Sequence, residues 1–140
     1  MTAYLFHLDP PADADPGDEL SIQIALRKAL KKQAPLCRLA GIPNGAQRTI
    51  WAAMKAKQEG MTPGFADCIV QWPGGGIAFV ELKTRTGTLS EQQHIWMNWQ
   101  SQAGFNVGVF RSVSSCLAWL EGLGAPVATK DGLRRNGRAL

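Results

Sequence analysis

The chain has 140 residues, 45% of them apolar and 19% charged, and a net charge of +4. That length supports one domain with a real core, burying roughly 68–70% of the unfolded surface. No apolar run approaches the ~20 residues of a membrane span, and the opening MTAYLFHLDPPADADPGDEL lacks the basic start of a secretory signal. Three scattered cysteines, Cys37, Cys68 and Cys116, make neither a disulfide framework nor a zinc site. They read as buried free thiols of a reducing, cytoplasmic compartment.

The charge is unevenly spread. Residues 1–19 hold five acids and no Lys or Arg, so all 15 basic residues lie beyond them, against six acids. A body this basic suits a polyanionic partner, although a basic protein with no such partner has the same composition.

In chain order, residues 1–17 are rich in Pro, Asp and Ala and read as a loose acidic arm, with Tyr4, Leu5 and Phe6 as possible tethers. Asp18 is an N-cap for a helix over Glu19–Gln33, ended by Pro35. Glu19, Ile22, Gln23, Leu26 and Leu30 fall on one face at steps of three and four, so two polar side chains top an apolar stripe. Glu19 is either a first-turn acid favoured by the helix dipole or a functional carboxylate.

Residues 36–41 predict a strand, and Pro43-Asn44-Gly45 a turn. A second helix is expected over Gln47–Glu59, stopping at Gly60. Its Arg48, Lys55 and Lys57 either face phosphate or form a solvated face. Two apolar runs follow, Ala66–Trp72 and Ile77–Lys83, joined through Pro-Gly-Gly-Gly. Ser90 opens a helix through Gln102, with Trp96, Met97 and Trp99 as candidate core residues. Asn106–Arg111 is a further strand, and Val113–Glu121 a final helix with Leu117 and Leu120 on one face. The domain therefore spans residues 18–122, followed by a basic, mobile tail over 123–140 that carries Lys130, Arg134, Arg135 and Arg138. The order argues for an α/β sandwich around a small mixed sheet.

The paired runs carry the chemistry. Glu81 and Lys83, two apart on a strand, share one face. Asp67 joins them only if the connection has an odd length. With Trp72–Gly76 as a five-residue loop, Gln71 pairs with Ile77 and Asp67 falls opposite Glu81; an even loop sends Asp67 to the wrong face. Two carboxylates ~5 Å apart at Cβ repel unless a cation lies between them. Magnesium fits, taking one or two carboxylates plus phosphate oxygens, and Lys83 beside it suits water activation and charge stabilisation. The plainer alternative makes Glu81 and Lys83 solubilising charges of an edge strand and Asp67 a turn cap.

These residues resemble the VRR-NUC branch of the PD-(D/E)XK nuclease superfamily. Its pattern is a helical glutamate, G-x-P-D, a turn, E-L-K, and S-x-x-Q opening a helix. Here it is met by Glu19, Gly64-Phe65-Ala66-Asp67, Glu81-Leu82-Lys83 and Ser90-Glu91-Gln92-Gln93. The segment Pro43-Asn44-Gly45 with Arg48 resembles the family too. Ala66 departs from the pattern, standing where proline is usual. Gln93 has a second explanation in the Ser90–Gln93 capping box.

The resemblance implies a restriction-endonuclease-like fold and Mg2+- or Mn2+-dependent hydrolysis of DNA. In that scheme Asp67, Glu81 and the Leu82 carbonyl ligate metal, and Glu19 supports it or its waters. Lys83 assists the attacking water and Gln93 positions Lys83 or water, while Arg48, Lys55, Arg85 and the basic tail contact phosphates. It further implies a homodimer of phage or bacterial type that resolves four-way Holliday junctions. A monomeric nicking or flap nuclease and a non-cleaving basic DNA-binding protein are the rival readings. The tryptophans Trp51, Trp72, Trp96, Trp99 and Trp119 either fill the core or stack on splayed bases, core packing being the commoner use.

Overall fold

The computed structural model describes residues 3–42, 49–60 and 64–128. Five strands, β1 (His7–Leu8), β2 (Arg38–Gly41), β3 (Cys68–Trp72), β4 (Gly76–Leu82) and β5 (Val107–Phe110), form one sheet in the order β1-β5-β4-β3-β2. β2, β3 and β4 are antiparallel neighbours, whereas β5 runs parallel to both β4 and β1. The helices are α1 (Glu19–Gln33), α2 (Ile50–Gln58), α3 (Glu91–Gln102) and α4 (Val113–Gly122).

Strand alternation divides the core in two. Cys68, Val70, Ala78, Val80, Leu82 and Phe110 point to one face, where α1 lays down Ile22, Leu26 and Leu30 and α4 lays down Cys116, Leu117 and Leu120. Phe79, Val107 and Val109 point to the other and meet Met97 of α3. The result is a mixed sheet between helical layers, an α/β sandwich of restriction-endonuclease-like type. All three cysteines are buried and free. Among the described residues no helix is long and apolar enough to cross a membrane.

The helix ends follow their capping chemistry. Asp18 accepts from Ser21 N–H at 2.8 Å and Thr49 from Ala52 N–H at 3.1 Å. Ser90 and Gln93 form a complete capping box. The second helix begins at Ile50, and the expected start at Gln47, with Arg48 and the Pro43-Asn44-Gly45 turn, lies outside the described residues.

The acidic arm is not loose. Residues 3–6 dock on α3, where Asn98 accepts from Leu5 N–H at 2.9 Å and donates to the Ala3 carbonyl at 3.0 Å. His7 and Leu8 then join the sheet beside β5. Asp9 is buried and accepts from the Arg111 backbone N–H at 2.9 Å, from the Ser115 hydroxyl, and from the His7 ring at 2.5 Å when that nitrogen is protonated. Asp15 accepts from Val113 N–H at 2.8 Å, at the start of α4. The acids that read as disorder are instead acceptors for donors about a hundred residues away.

The last segment also differs from expectation over its described part. Ala125 and Val127 are buried, and Ala128 N–H donates to the Gln33 carbonyl at 2.6 Å, so residues 123–128 close over the end of α1; the rest of the basic tail, 129–140, lies outside the described residues. Two tryptophans are not core: Trp99 is 53% exposed and Trp51 71%. Trp72 and Trp119 do pack against the core.

Asp9→Ala strands the buried Arg111 N–H and removes one of the two acceptors of the half-buried Ser115 hydroxyl, which keeps the Ser112 carbonyl at 3.0 Å. It should lower unfolding free energy by about 3 kcal/mol, read as a shift in urea midpoint at unchanged slope.

Candidate active site

The hairpin sets the site. Gln71 pairs with Ile77 and Cys68 with Val80, and the ladder continues to Trp72 and Gly76. The turn is therefore Pro73-Gly74-Gly75, shorter than expected but still odd, which preserves the register. Gly74 and Gly75 adopt φ of +90° and +82°, a region that other residues rarely occupy. One further step of the same register brings Asp67 opposite Glu81, on the Phe79 face of the sheet.

Glu81 is 2% exposed. Its Oε2 accepts from Gln93 Nε2 at 2.9 Å and lies 3.5 Å from Lys83 Nζ. Its Oε1 is buried with no hydrogen-bond partner. Burial first, and the negative charge of Asp67 second, push its pKa from 4.5 up to about 8, against the opposing pull of Lys83. Asp67 is half-buried; its Oδ2 accepts from Leu82 N–H at 2.8 Å and its carbonyl from Ile42 N–H at 2.7 Å, which fixes the residue at both ends.

Lys83 Nζ lies between Glu81 and Glu19, 3.7 Å from Glu19 Oε1. Gln93 completes the capping box, its Oε1 accepting from Ser90 N–H at 2.9 Å, while its Nε2 donates to Glu81. Its side-chain partner is thus Glu81 and not Lys83. Asp67, Glu81, Lys83, Glu19 and Gln93 all line one open cleft of about 430 Å³, together with Gly64, Phe65, Thr88, Leu89 and Ser90. The N-terminal turns of α1 and α3 both reach this cleft, through Glu19 and Gln93.

Two carboxylates, Glu81 and Glu19, flank the Lys83 ammonium, Asp67 lines the same cleft, and one buried oxygen of Glu81 is unsatisfied. A hard dication fits that donor set. Glu19 is turned towards Lys83, and among the described residues no group of three Asp, Glu, His or Cys forms a ready cage. Two carboxylates with room for water and phosphate oxygens is the arrangement Mg2+ favours. Leu82 buries its side chain in the opposite core while giving its N–H to Asp67.

Of the expected phosphate contacts, Lys55 is exposed on α2 with its ammonium 5.6 Å from the Trp51 ring centre. Arg85 is exposed on the turn after β4, and Arg48 lies outside the described residues. The Arg85 turn is braced by Arg111 Nη1, which donates to the carbonyls of Thr84 and Gly87. Sequence reasoning gave no role to Phe65, Thr88 or Gly64. Gly64 has φ +86°, and a Cβ there would come within 2.7 Å of the Gln92 backbone. The glycine of the G-F-A-D segment is the signal: it lets the strand carrying Asp67 lie directly on the first turn of α3. Ala66, in place of the usual proline, is fully buried and leaves Asp67 in the cleft.

Two outcomes follow from this geometry. In protein stripped of divalent cations, the raised pKa means that the folded state holds the Glu81 proton more tightly than the unfolded state. Stability should therefore fall as pH rises from about 4.5 to about 8, and Glu81→Gln should flatten that fall in thermal melts. Gly64→Ala should cost about 1–2 kcal/mol from the left-handed backbone alone and displace Asp67, reducing any activity of the cleft more than it reduces stability.

No curated protein and no solved structure matches the chain. The family model of the VRR-NUC domain matches residues 18–114, well over half of the chain, a span that contains Glu19, Asp67, Glu81, Lys83 and Gln93. With a restriction-endonuclease-like sandwich beneath it and an acidic hairpin at its centre, the chain belongs to the VRR-NUC family of PD-(D/E)XK-type nucleases.

Proposed function

We propose that this nuclease is a metal-dependent endonuclease that recognises branched DNA and resolves four-way junctions as a homodimer. The observation that carries the reading is Glu81: a buried carboxylate facing Asp67, with one oxygen orphaned, beside a lysine in an open cleft. Burying such a group without full pairing is costly, and a cation-binding role explains why it is there.

Asp67 and Glu81 would hold Mg2+ or Mn2+, with the Leu82 carbonyl and, through water, Glu19. When bound, the ion supplies positive charge to the phosphate and acidity to a bound water. Gln93 keeps Glu81 Oε2 engaged and leaves Oε1 for the ligand site. Lys83, aimed by Glu81 and Glu19, orients the attacking water or donates to the phosphate oxygen on which charge develops. Hydrolysis forms a P–O bond to the water oxygen and breaks the bond to one deoxyribose oxygen, which leaves with a proton. Lys55, Arg85 and Arg48 contact flanking phosphates, and affinity then falls steeply with salt.

Two copies are favoured by the outer face of α3. Ile95, Trp99 and Phe105 are exposed there, and no Lys or Arg occurs from Glu91 to Phe110. An apolar surface without cations suits protein contact better than phosphate. Twofold symmetry would then give one cut on each of two equivalent strands.

Four-way junctions, flaps and linear duplex, each with Mg2+ or with chelator, test the proposal. Paired symmetric nicks that require metal are expected; cuts confined to flaps would support the monomeric alternative. Binding without cleavage in several divalent metals would leave a DNA-binding protein only. Asp67→Asn, Glu81→Gln and Lys83→Ala should each lower cleavage by at least about 100-fold while binding in chelator persists, and wild-type rates in all three would place the chemistry elsewhere.

A further inference from the structure

Helix α2 is built inside out. Its small residues, Ala52 and Ala56, face the protein and are half-buried and buried, whereas Ile50, Trp51 and Met54 are 83%, 71% and 58% exposed. At ~100° per residue, Met54 sits at the centre of the outward face with Ile50 and Trp51 on either side. Lys57 and Lys55 border that ridge on its two flanks, and the Lys55 ammonium lies over the Trp51 ring. A solvated helix has no reason to turn its largest apolar side chains outwards.

The described residues that flank α2 in the chain both lie beside Asp67: Ile42 N–H donates to the Asp67 carbonyl, and Gly64 lines the cleft with Asp67. An apolar ridge flanked by ammonium groups matches one chemistry well: the face of an unstacked base pair, bordered on each side by phosphates. The α3 face has no Lys or Arg to flank it, so the two exposed surfaces suit different partners.

We infer that α2 is a stacking wedge that reads the branch point of the DNA substrate, with Trp51 and its apolar neighbours against exposed base faces and Lys55 and Lys57 on the adjoining phosphates. The inference rests on the nuclease reading for what the cleft acts upon, and names the structural feature that the substrate presents there. It makes selectivity for branched over continuous DNA a property of this helix, separate from the carboxylates that cut.

The test measures binding in chelator, by fluorescence anisotropy, to a four-way junction, a flap and a linear duplex. Trp51→Ala should weaken binding to the two branched substrates by about tenfold, the order of one lost stack, and leave linear duplex within about twofold. Trp51→Phe, which keeps a ring face, should restore most of the loss. Because the ridge is exposed, melting temperature should not move. Equal losses on all three substrates, or none, would overturn the inference. So would loss of the dimer in sedimentation with DNA binding falling only in parallel, because the ridge would then be covered by a second copy. Selective loss in Trp51→Ala together with a wild-type protein that never cuts would retain the wedge and remove the nuclease reading.

Discussion

Two carboxylates on facing strands, one of them sealed from water, make the constraint around which the cleft is arranged. Folding gains nothing from burying Glu81 beside Asp67: desolvation and like-charge repulsion both act against it. The surrounding side chains limit that cost. Gln93 and Lys83 both approach the same oxygen of Glu81, and Asp67 is anchored by the N–H of Leu82 on the very strand it opposes. What they leave unsatisfied is a single buried oxygen of Glu81. Local unfavourable energy held in place by well-paired neighbours is how a fold keeps a reactive site.

Gln93 links that site to ordinary helix chemistry. The same amide closes the capping box of α3 and hydrogen-bonds Glu81, so the start of the helix and the position of the carboxylate are one geometric fact. Gly64 enforces the same junction from the other side, because only a residue without a side chain can press against the first turn of α3. On the far side of the strand end, Arg111 ties the arm to the turn beyond the candidate site. Its backbone N–H binds the Asp9 carboxylate, its Nε the Asp9 carbonyl, and its Nη1 the turn that follows Lys83. The amino-terminal arm is therefore a brace for the exit of the strand that carries Glu81 and leads into Lys83.

Features set by short-range rules were legible in the sequence. The apolar stripe of α1, the cap at Asp18, the S-x-x-Q box and the alternation that puts Glu81 and Lys83 together depend on neighbours a few residues apart. The parity of the hairpin was legible too, although the turn is two residues shorter than expected, because side-chain facing depends on odd or even length alone. The docked arm was not, since the composition of residues 1–17 is that of a disordered segment and the donors that satisfy Asp9 and Asp15 lie just after β5 and in α4. Trp99 and Trp51 misled for a related reason: hydrophobicity states how much burial would stabilise a side chain, not whether the folded monomer provides it. The pairing of Glu19 with Lys83, and of Gln93 with Glu81 instead of Lys83, required the actual placement of helix ends above the sheet.

The acidic segment also changes meaning once its partners are known. Read along the chain, five acids before residue 20 form a negative arm that would repel DNA. In the fold, Asp15 and Asp18 sit at the starts of α4 and α1, where helix dipoles present partial positive charge, and Glu19 faces Lys83. Asp9 is buried among donors. Four of the five acids thus have local partners, while the exposed Lys55, Lys57 and Arg85 have acids matched to them in no ion pair among the described residues. Hydrogen bonds from neutral donors fix where the arm's carboxylates sit without removing their charge, so the basic character open to a phosphate backbone rests on those unpaired side chains.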